Sequence, residues 1–360
     1  MSITPPRTDD ALREARAPLP QVPFDALRGM VRLWAAEQDL TVEQDAAGGI
    51  ALRTAYGQIA FAPEGHGAVA HVATPRLDFL QALRDSVVGH LSHAWPEAAR
   101  GLRWSDAVPN ADGAEATDPD ALPDNVRLMT LAGVEALDCG FLRVTLAGDV
   151  SRFSDDAIHF RLGIPPAGRA PCWPRIGPNG ATVWPAGAEA LHLPVYTARY
   201  IDRAAGRLVF DLFAHEGGRA LAWARSMARG VEVAVIGPGG GTAQITGEIR
   251  GFADETAFPA IARVIESNPD LTGEICLFGE AEAAGRYPMP PAPGVTMRWY
   301  APEEMGACAA AALAAAPDAW FWLAGERACS QDFRRAYKAT QPPQGRSYIA
   351  AYWQRAAAPA

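Results

Sequence analysis

The stretch from Leu191 to Gly241 reads LHLPVYTARYIDRAAGRLVFDLFAHEGGRALAWARSMARGVEVAVIGPGGG. Leu208, Phe210, Leu212 and Ala214 alternate on one face of a half-buried strand, preceded by a strand through Tyr196, Thr197 and Arg199 and a turn over Asp202 to Gly206. The glycine pair Gly217 and Gly218 then leads into Ala220 to Met227, whose apolar spacing is helical. The start of such a helix carries unpaired backbone N–H groups and a positive dipole end, which attract phosphate or carboxylate. These residues predict a barrel edge feeding a helix N-terminus.

Upstream, Arg127 to Val134, Phe141 to Ala147 and Ala157 to Ile164 read as strands, and turn signals at this spacing suggest a β-barrel or sandwich. Pro165 to Pro194, rich in Pro, Gly and Trp, reads as a long loop. Trp173 and Trp184 in it suit either an aromatic ligand or the plugging of a barrel mouth. Downstream, Gly247 to Ala253 is a short strand, Asp254, Glu255 and Thr256 form a polar cap, and Ala257 to Ser267 is a helix. Strands at Gly273 to Gly279, Val295 to Tyr300 and Trp320 to Ala324 alternate with helices at Met305 to Ala315 and Cys329 to Ala339. That alternation predicts a doubly wound parallel sheet with its ligand crevice at the strands' carboxyl ends, where Gly325 and Glu326 fall. The segment lacks the glycine fingerprint of dinucleotide-binding folds.

Toward the N-terminus, residues 1–22 hold four prolines without periodicity and predict a flexible tail. Residues 23–104 predict a small α+β domain: a helix with Leu27, Met30, Val31 and Trp34 on one face, four short strands, and a helix from about Arg76 to Ala94. His90 and His93 stand three apart on that second helix. Ordinary surface or hydrogen-bonded histidines explain them as well as metal ligands do, and no metal is expected. Residues 105–125 hold six acidic residues, three prolines and no basic residue, and predict an acidic linker. The expected division is therefore tail 1–22, small α+β domain 23–104, linker 105–125, barrel 126–246 and α/β domain 247–360.

The 360 residues are 49% hydrophobic and 20% charged, ample for several cores. A net charge of -9 argues against a nucleic-acid partner, because phosphate neutralisation needs clustered basic residues. Lys338 is the only lysine, so any recognition of anions falls to arginine. The five cysteines are widely spaced without a CxxC, which suggests reduced thiols and a cytoplasmic protein. No apolar run reaches the ~20 residues that span a bilayer.

The blocks PVYTAR, AHEGGRALAWA, GPGG, FADETAFPAIARVIE, WFWLAGE and AAYWQR, in that order over Asp124 to Arg355, resemble the siderophore-interacting proteins, flavin-dependent ferric-siderophore reductases related to ferredoxin reductases. VVGHLSHAW followed by GLRW resembles an uncharacterised domain sometimes fused in front of them. The resemblance implies a six-stranded antiparallel FAD barrel, then an α/β domain binding NADH or NADPH as electron donor, with a ferric siderophore or other small iron chelate as acceptor. It implies that Tyr196 lies against the flavin ring and that the Thr197 hydroxyl bonds its polar edge. It also brings Arg199, His215, Gly218 and Trp223 to the flavin site, where the amides of Gly217 and Gly218 and the charge of Arg219 suit a pyrophosphate. Asp254, Thr256, Gly325 and Glu326 come to the nicotinamide site, and Tyr352 and Trp353 toward the flavin. Three positions depart from the family pattern: Pro194 stands where the family has its phosphate-binding arginine, Glu216 where it has a glycine, and Arg219 where it has a proline. Losing one charge-assisted bond costs roughly 1.5–3 kcal/mol, so the reductase reading stands beside a module that binds the chelate with weakened flavin, and beside a reductase of another small acceptor.

Overall fold

Alternation of small apolar and charged residues makes Arg13–Leu19 (β1) a strand, with Ala15, Ala17 and Leu19 buried. It pairs antiparallel with Gly67–Thr74 (β5), so the segment expected to be a tail through residue 22 is, over these residues, an element of the fold. The computed structural model describes residues 12–38, 40–45, 48–106, 121–215, 217–280, 286–343 and 345–355. Most of the expected acidic linker and Glu216 lie outside these.

The N-terminal unit is an antiparallel sheet in the order β1, β5, Gly57–Glu64 (β4), Ile50–Thr54 (β3) and Thr41–Gln44 (β2), with helices Phe24–Gln38 (α1), Leu77–Ala94 (α2) and Pro96–Gly101 (α3). Its core joins Leu27, Val31 and Trp34 of α1 and Leu80, Leu83 and Val87 of α2 to the inward residues of the sheet. Residues 165–191 belong to this unit rather than to the barrel. They carry a short hairpin of Arg175–Ile176 (β9) and Thr182–Val183 (β10). Asp85 of α2 accepts from the Thr182 amide at 2.7 Å and hydroxyl at 2.8 Å, and Trp104 donates its indole N–H to the Asn179 carbonyl at 3.1 Å. Gly180 has φ +70°, and a Cβ there would stand 2.6 Å from the Trp104 ring. The region expected to be one long loop is thus partly an ordered, hydrogen-bonded insertion. On α2, His90 and His93 each bond the carbonyl four residues back at 2.8 Å, and the His90 ring stacks on Trp34.

The second unit contains the barrel and the α/β half. Val126–Leu137 (β6), Phe141–Ala147 (β7), His159–Gly163 (β8), Val195–Thr197 (β11), Tyr200–Asp202 (β12), Arg207–Phe213 (β13) and Glu232–Gly239 (β14) form a sheet in the order β11, β8, β14, β6, β7, β13, β12. The two ends of that order are consecutive pieces of one extended segment, residues 195–202, so the sheet closes on itself as six strands. Phe160, Leu162, Val144, Leu146, Leu208 and Phe210 fill it. Helix Arg219–Ser226 (α4) follows β13.

The α/β half is a parallel sheet of Glu248–Asp254 (β15), Thr272–Phe278 (β16), Val295–Tyr300 (β17), Trp320–Glu326 (β18) and Ser347–Trp353 (β19), ordered β17, β16, β15, β18, β19. Phe258–Ser267 (α5) covers one face with Ile261, Val264 and Ile265, while Met305–Ala315 (α6) and Arg327–Ala339 (α7) cover the other with Ala309, Phe333 and Tyr337. The C-terminal aromatic segment, for which no strand was expected, is the fifth strand. The chain order reverses between β15 and β18, which puts the crevice beyond Asp254 and Glu326.

Polar ties bolt this sheet to the barrel. Arg263 of α5 donates to the Ala198 and Ser154 carbonyls and to Asp155, and Tyr287 donates to Asp211, which also holds Arg143 by two 2.8 Å bonds. Among the described residues no helix is long and apolar enough to cross a membrane.

Candidate functional site

On β11, Val195 is exposed, Tyr196 half-buried and Thr197 buried. The Tyr196 ring packs on Phe210 with centroids 4.7 Å apart, and burial pushes its phenol above the ordinary range. Pro194 fits the barrel because the ladder uses only its carbonyl, which accepts from the Leu162 N–H at 2.9 Å. Arg199 is 2% exposed, and its guanidinium makes bonds of 2.6 and 2.9 Å to Glu266 of α5 and lies 4.1 Å over the Tyr200 ring.

At the end of β13 the exposed His215 ring lies against Gly218, where a Cβ would stand 2.8 Å from it. Gly217 takes φ +79°, the left-handed region that favours glycine. Gly218 is the N-cap of α4, and among the described residues no side chain caps that helix start. The first backbone N–H groups of α4 therefore remain available, with exposed Arg219 at its first position. Arg219 bears on His192, whose pKa is lowered by burial and then by that positive charge. Trp223 is buried, and its indole N–H has no partner among the described residues.

At the crevice two helix starts are capped instead. Asp254 Oδ1 accepts from the Thr256 amide at 3.0 Å and from its hydroxyl at 2.6 Å, and Asp254 Oδ2 accepts the Trp353 indole N–H at 2.6 Å. Burial raises the Asp254 pKa, and those donors oppose it. Glu326 caps α7 through the amides of Ala328 and Cys329. Gly325 must be glycine for Asp254 to approach, since a Cβ would stand 2.6 Å from its Oδ2. The cavity bounded by Asp254, Glu326, Trp353, Arg327 and Arg355 has a volume of about 990 Å³.

Sequence reading missed His159, a buried histidine opposite Thr197 in the ladder. Its Nδ1 is 3.2 Å from Thr197 Oγ1, and its Nε2 is 3.0 and 3.1 Å from the hydroxyls of Tyr348 and Tyr352. A lone histidine inside an apolar strand gives no signal in one sequence. The structure thus gathers Tyr196, Thr197 and His159 on adjoining strands, groups His215, Gly217, Gly218, Arg219 and Trp223 around the start of α4, and assembles Asp254, Thr256, Gly325, Glu326 and Trp353 at the crevice, while Arg199 is committed elsewhere.

Residues 130–242 match the siderophore-interacting FAD-binding domain, and residues 249–356 match the siderophore-interacting protein domain. Over these residues the chain belongs to the siderophore-interacting protein family. The NADPH-dependent ferric-chelate reductase of Escherichia coli (strain K12) is 29% identical over 241 residues, covering 63% of this chain and 92% of the relative. The siderophore-interacting protein from Acinetobacter baumannii superposes with a TM-score of 0.51 at 20% identity, covering 65% of this chain and 91% of that chain; this likeness establishes the fold. The siderophore-interacting protein SipS from Aeromonas hydrophila gives a TM-score of 0.49 at 24% identity over 64% of this chain and 99% of that one.

The residues present fit FAD. An uncapped helix start with an arginine at its first position and a positive-φ glycine before it is a donor set for a pyrophosphate, and Tyr196 supplies an aromatic face.

Proposed function

We propose that this chain is an FAD-dependent oxidoreductase that draws electrons from NADH or NADPH and delivers them to ferric iron held by a siderophore or another small chelate. The observation that carries this is the contrast between helix starts: among the described residues no side chain caps α4 beside Arg219, whereas Asp254 and Glu326 cap the two starts beside them with their own carboxylates. An anionic cofactor is thereby directed to the barrel. When bound, FAD supplies the conversion between two-electron and one-electron transfer.

The chain's own residues bind and orient. The α4 amides, Gly217, Gly218 and Arg219 hold the pyrophosphate, with His215 and Trp223 shaping that end of the site. Tyr196 presents its ring, and Thr197 its hydroxyl. Asp254 fixes the Thr256 side chain, whose remaining lone pairs face a carboxamide donor. Gly325 and Glu326 shape the same edge, and Arg327 and Arg355 supply positive charge for the phosphates of the donor nucleotide. The iron is substrate, held by its chelate. Similarity to the NADPH-dependent ferric-chelate reductase of Escherichia coli supports this donor and acceptor class. All five cysteines are free, in keeping with a cytoplasmic place of action.

Pro194 favours a second reading, a module that retains an iron chelate without reducing it, since the arginine of that position is missing and Arg199 cannot replace it. The visible spectrum of the purified full chain decides between them. Flavin bands, native or restored by added FAD and bleached by NADPH or NADH, establish the oxidoreductase; a colourless chain that takes up no FAD establishes the module.

A further inference from the structure

The glycine run from Gly237 to Gly241, His159 and the last strand form one construction. A Cβ on Gly240 would stand 2.5 Å from the His159 ring, and one on Gly241 would stand 2.3 Å from the Tyr348 ring. The run therefore does more than turn the chain: it makes room for two rings that meet across the barrel and the α/β half. His159 is 6% exposed, and the hydroxyls of Tyr348 and Tyr352 are 3.1 Å apart, closing a triangle with His159 Nε2.

One arrangement of protons keeps both phenolic protons inside this triangle. Burial, and then the charge of Arg263, hold the His159 pKa down to about 4, so the ring is neutral at physiological pH and carries one N–H. Burial keeps the Tyr352 phenol protonated as well. Both phenolic protons are used inside the triangle only when one tyrosine donates to the other and the second donates to a bare Nε2. The ring proton is then on Nδ1, where it faces Thr197 Oγ1, 3.2 Å away, and the Tyr196 backbone. A protonated Nδ1 cannot accept from Thr197, so the Thr197 O–H is left to donate outward. With the opposite tautomer the Thr197 proton would be spent on Nδ1.

We infer that His159, held by Tyr348 and Tyr352, is a positioning residue that orients the Thr197 hydroxyl as a hydrogen-bond donor to the polar edge of the bound flavin. This rests on the flavin reading of the Tyr196-Thr197 strand. It gives the C-terminal strand of the α/β half a direct line, through one imidazole, to the barrel strand that presents the flavin.

The test is a double-mutant cycle on the full chain, reading the FAD dissociation constant and the FAD reduction potential, with near-UV circular dichroism to confirm folding. Thr197→Val and His159→Phe should each weaken FAD by about fivefold, the scale of one neutral hydrogen bond, and lower the potential. The double variant should do no worse than Thr197→Val alone. Tyr348→Phe combined with Tyr352→Phe keeps the imidazole and should reproduce the drop in potential, while His159→Asn, whose amide N–H stands where Nδ1–H stood, should restore it. Additive single effects, or a parental potential in the tyrosine pair variant, overturn the inference and leave the flavin reading standing. A parent chain that takes up no FAD overturns the flavin reading, and this inference with it.

Discussion

Arg199 closes its guanidinium on Glu266 with bonds of 2.6 and 2.9 Å, joining the barrel at the break between β11 and β12 to helix α5. The arginine side chain is 1% exposed and the glutamate 37% exposed. Glu266→Ala leaves a buried cation without its partner. Such losses reach several kcal/mol when both charges are enclosed; with one partner half in water the expected cost is about 2 kcal/mol. Denaturant unfolding should show this loss while FAD affinity changes less than about twofold. A large fall in FAD affinity with unchanged stability would return Arg199 to the flavin site.

Pro194→Arg restores a cation at the position where this chain departs from its family. The ladder needs only the carbonyl of residue 194, which the substitution keeps, and the new side chain shares the face of Tyr196 two residues on. FAD binding should tighten by about tenfold or more, the scale of one charge-assisted hydrogen bond, as read by fluorescence titration. An unchanged dissociation constant in a folded variant would show that Arg219 and the α4 amides already saturate the phosphate.

Thr256 spends its proton on Asp254 at 2.6 Å, so only its lone pairs face the crevice. Thr256→Ser keeps that geometry and should reduce bound flavin at the parental rate with NADPH. Thr256→Val removes the acceptor, and stopped-flow bleaching should slow several-fold while FAD stays bound, about 1 kcal/mol in the barrier. Equal rates in both variants would make Thr256 a helix cap alone.

His159 gives stability a pH dependence of definite sign. Its pKa falls from an ordinary 6.5 to about 4 in the fold, chiefly because it is buried. As pH drops from 6.5 toward 4, the unfolded chain gains a proton that the folded chain does not, and stability falls by about 3 kcal/mol across that window. Above pH 6.5 the term is constant. Unfolding curves of His159→Phe should be flatter than the parent's between these values; an identical slope would place the acid sensitivity in other groups.

Local periodicity was enough to determine the element types of the barrel, the parallel sheet and most helices, because alternation and 3.6-residue spacing are written in consecutive residues. The crevice residues Asp254, Gly325 and Glu326 were legible too, since a chain-order reversal puts strand ends at the ligand edge. Tertiary structure alone decided the rest. Arg13–Leu19 is a strand only because β5 offers it a ladder, and its proline and charges hide that from a one-dimensional reading. The hairpin at residues 175–183 is ordered by Asp85 and Trp104, far away in sequence. Arg199 stood in a binding motif, yet a carboxylate 67 residues later claims its charge, and His159 meets its tyrosines 189 and 193 residues on. Such pairings depend on which buried groups need a partner once the elements have packed, and that requirement does not exist until the chain is folded.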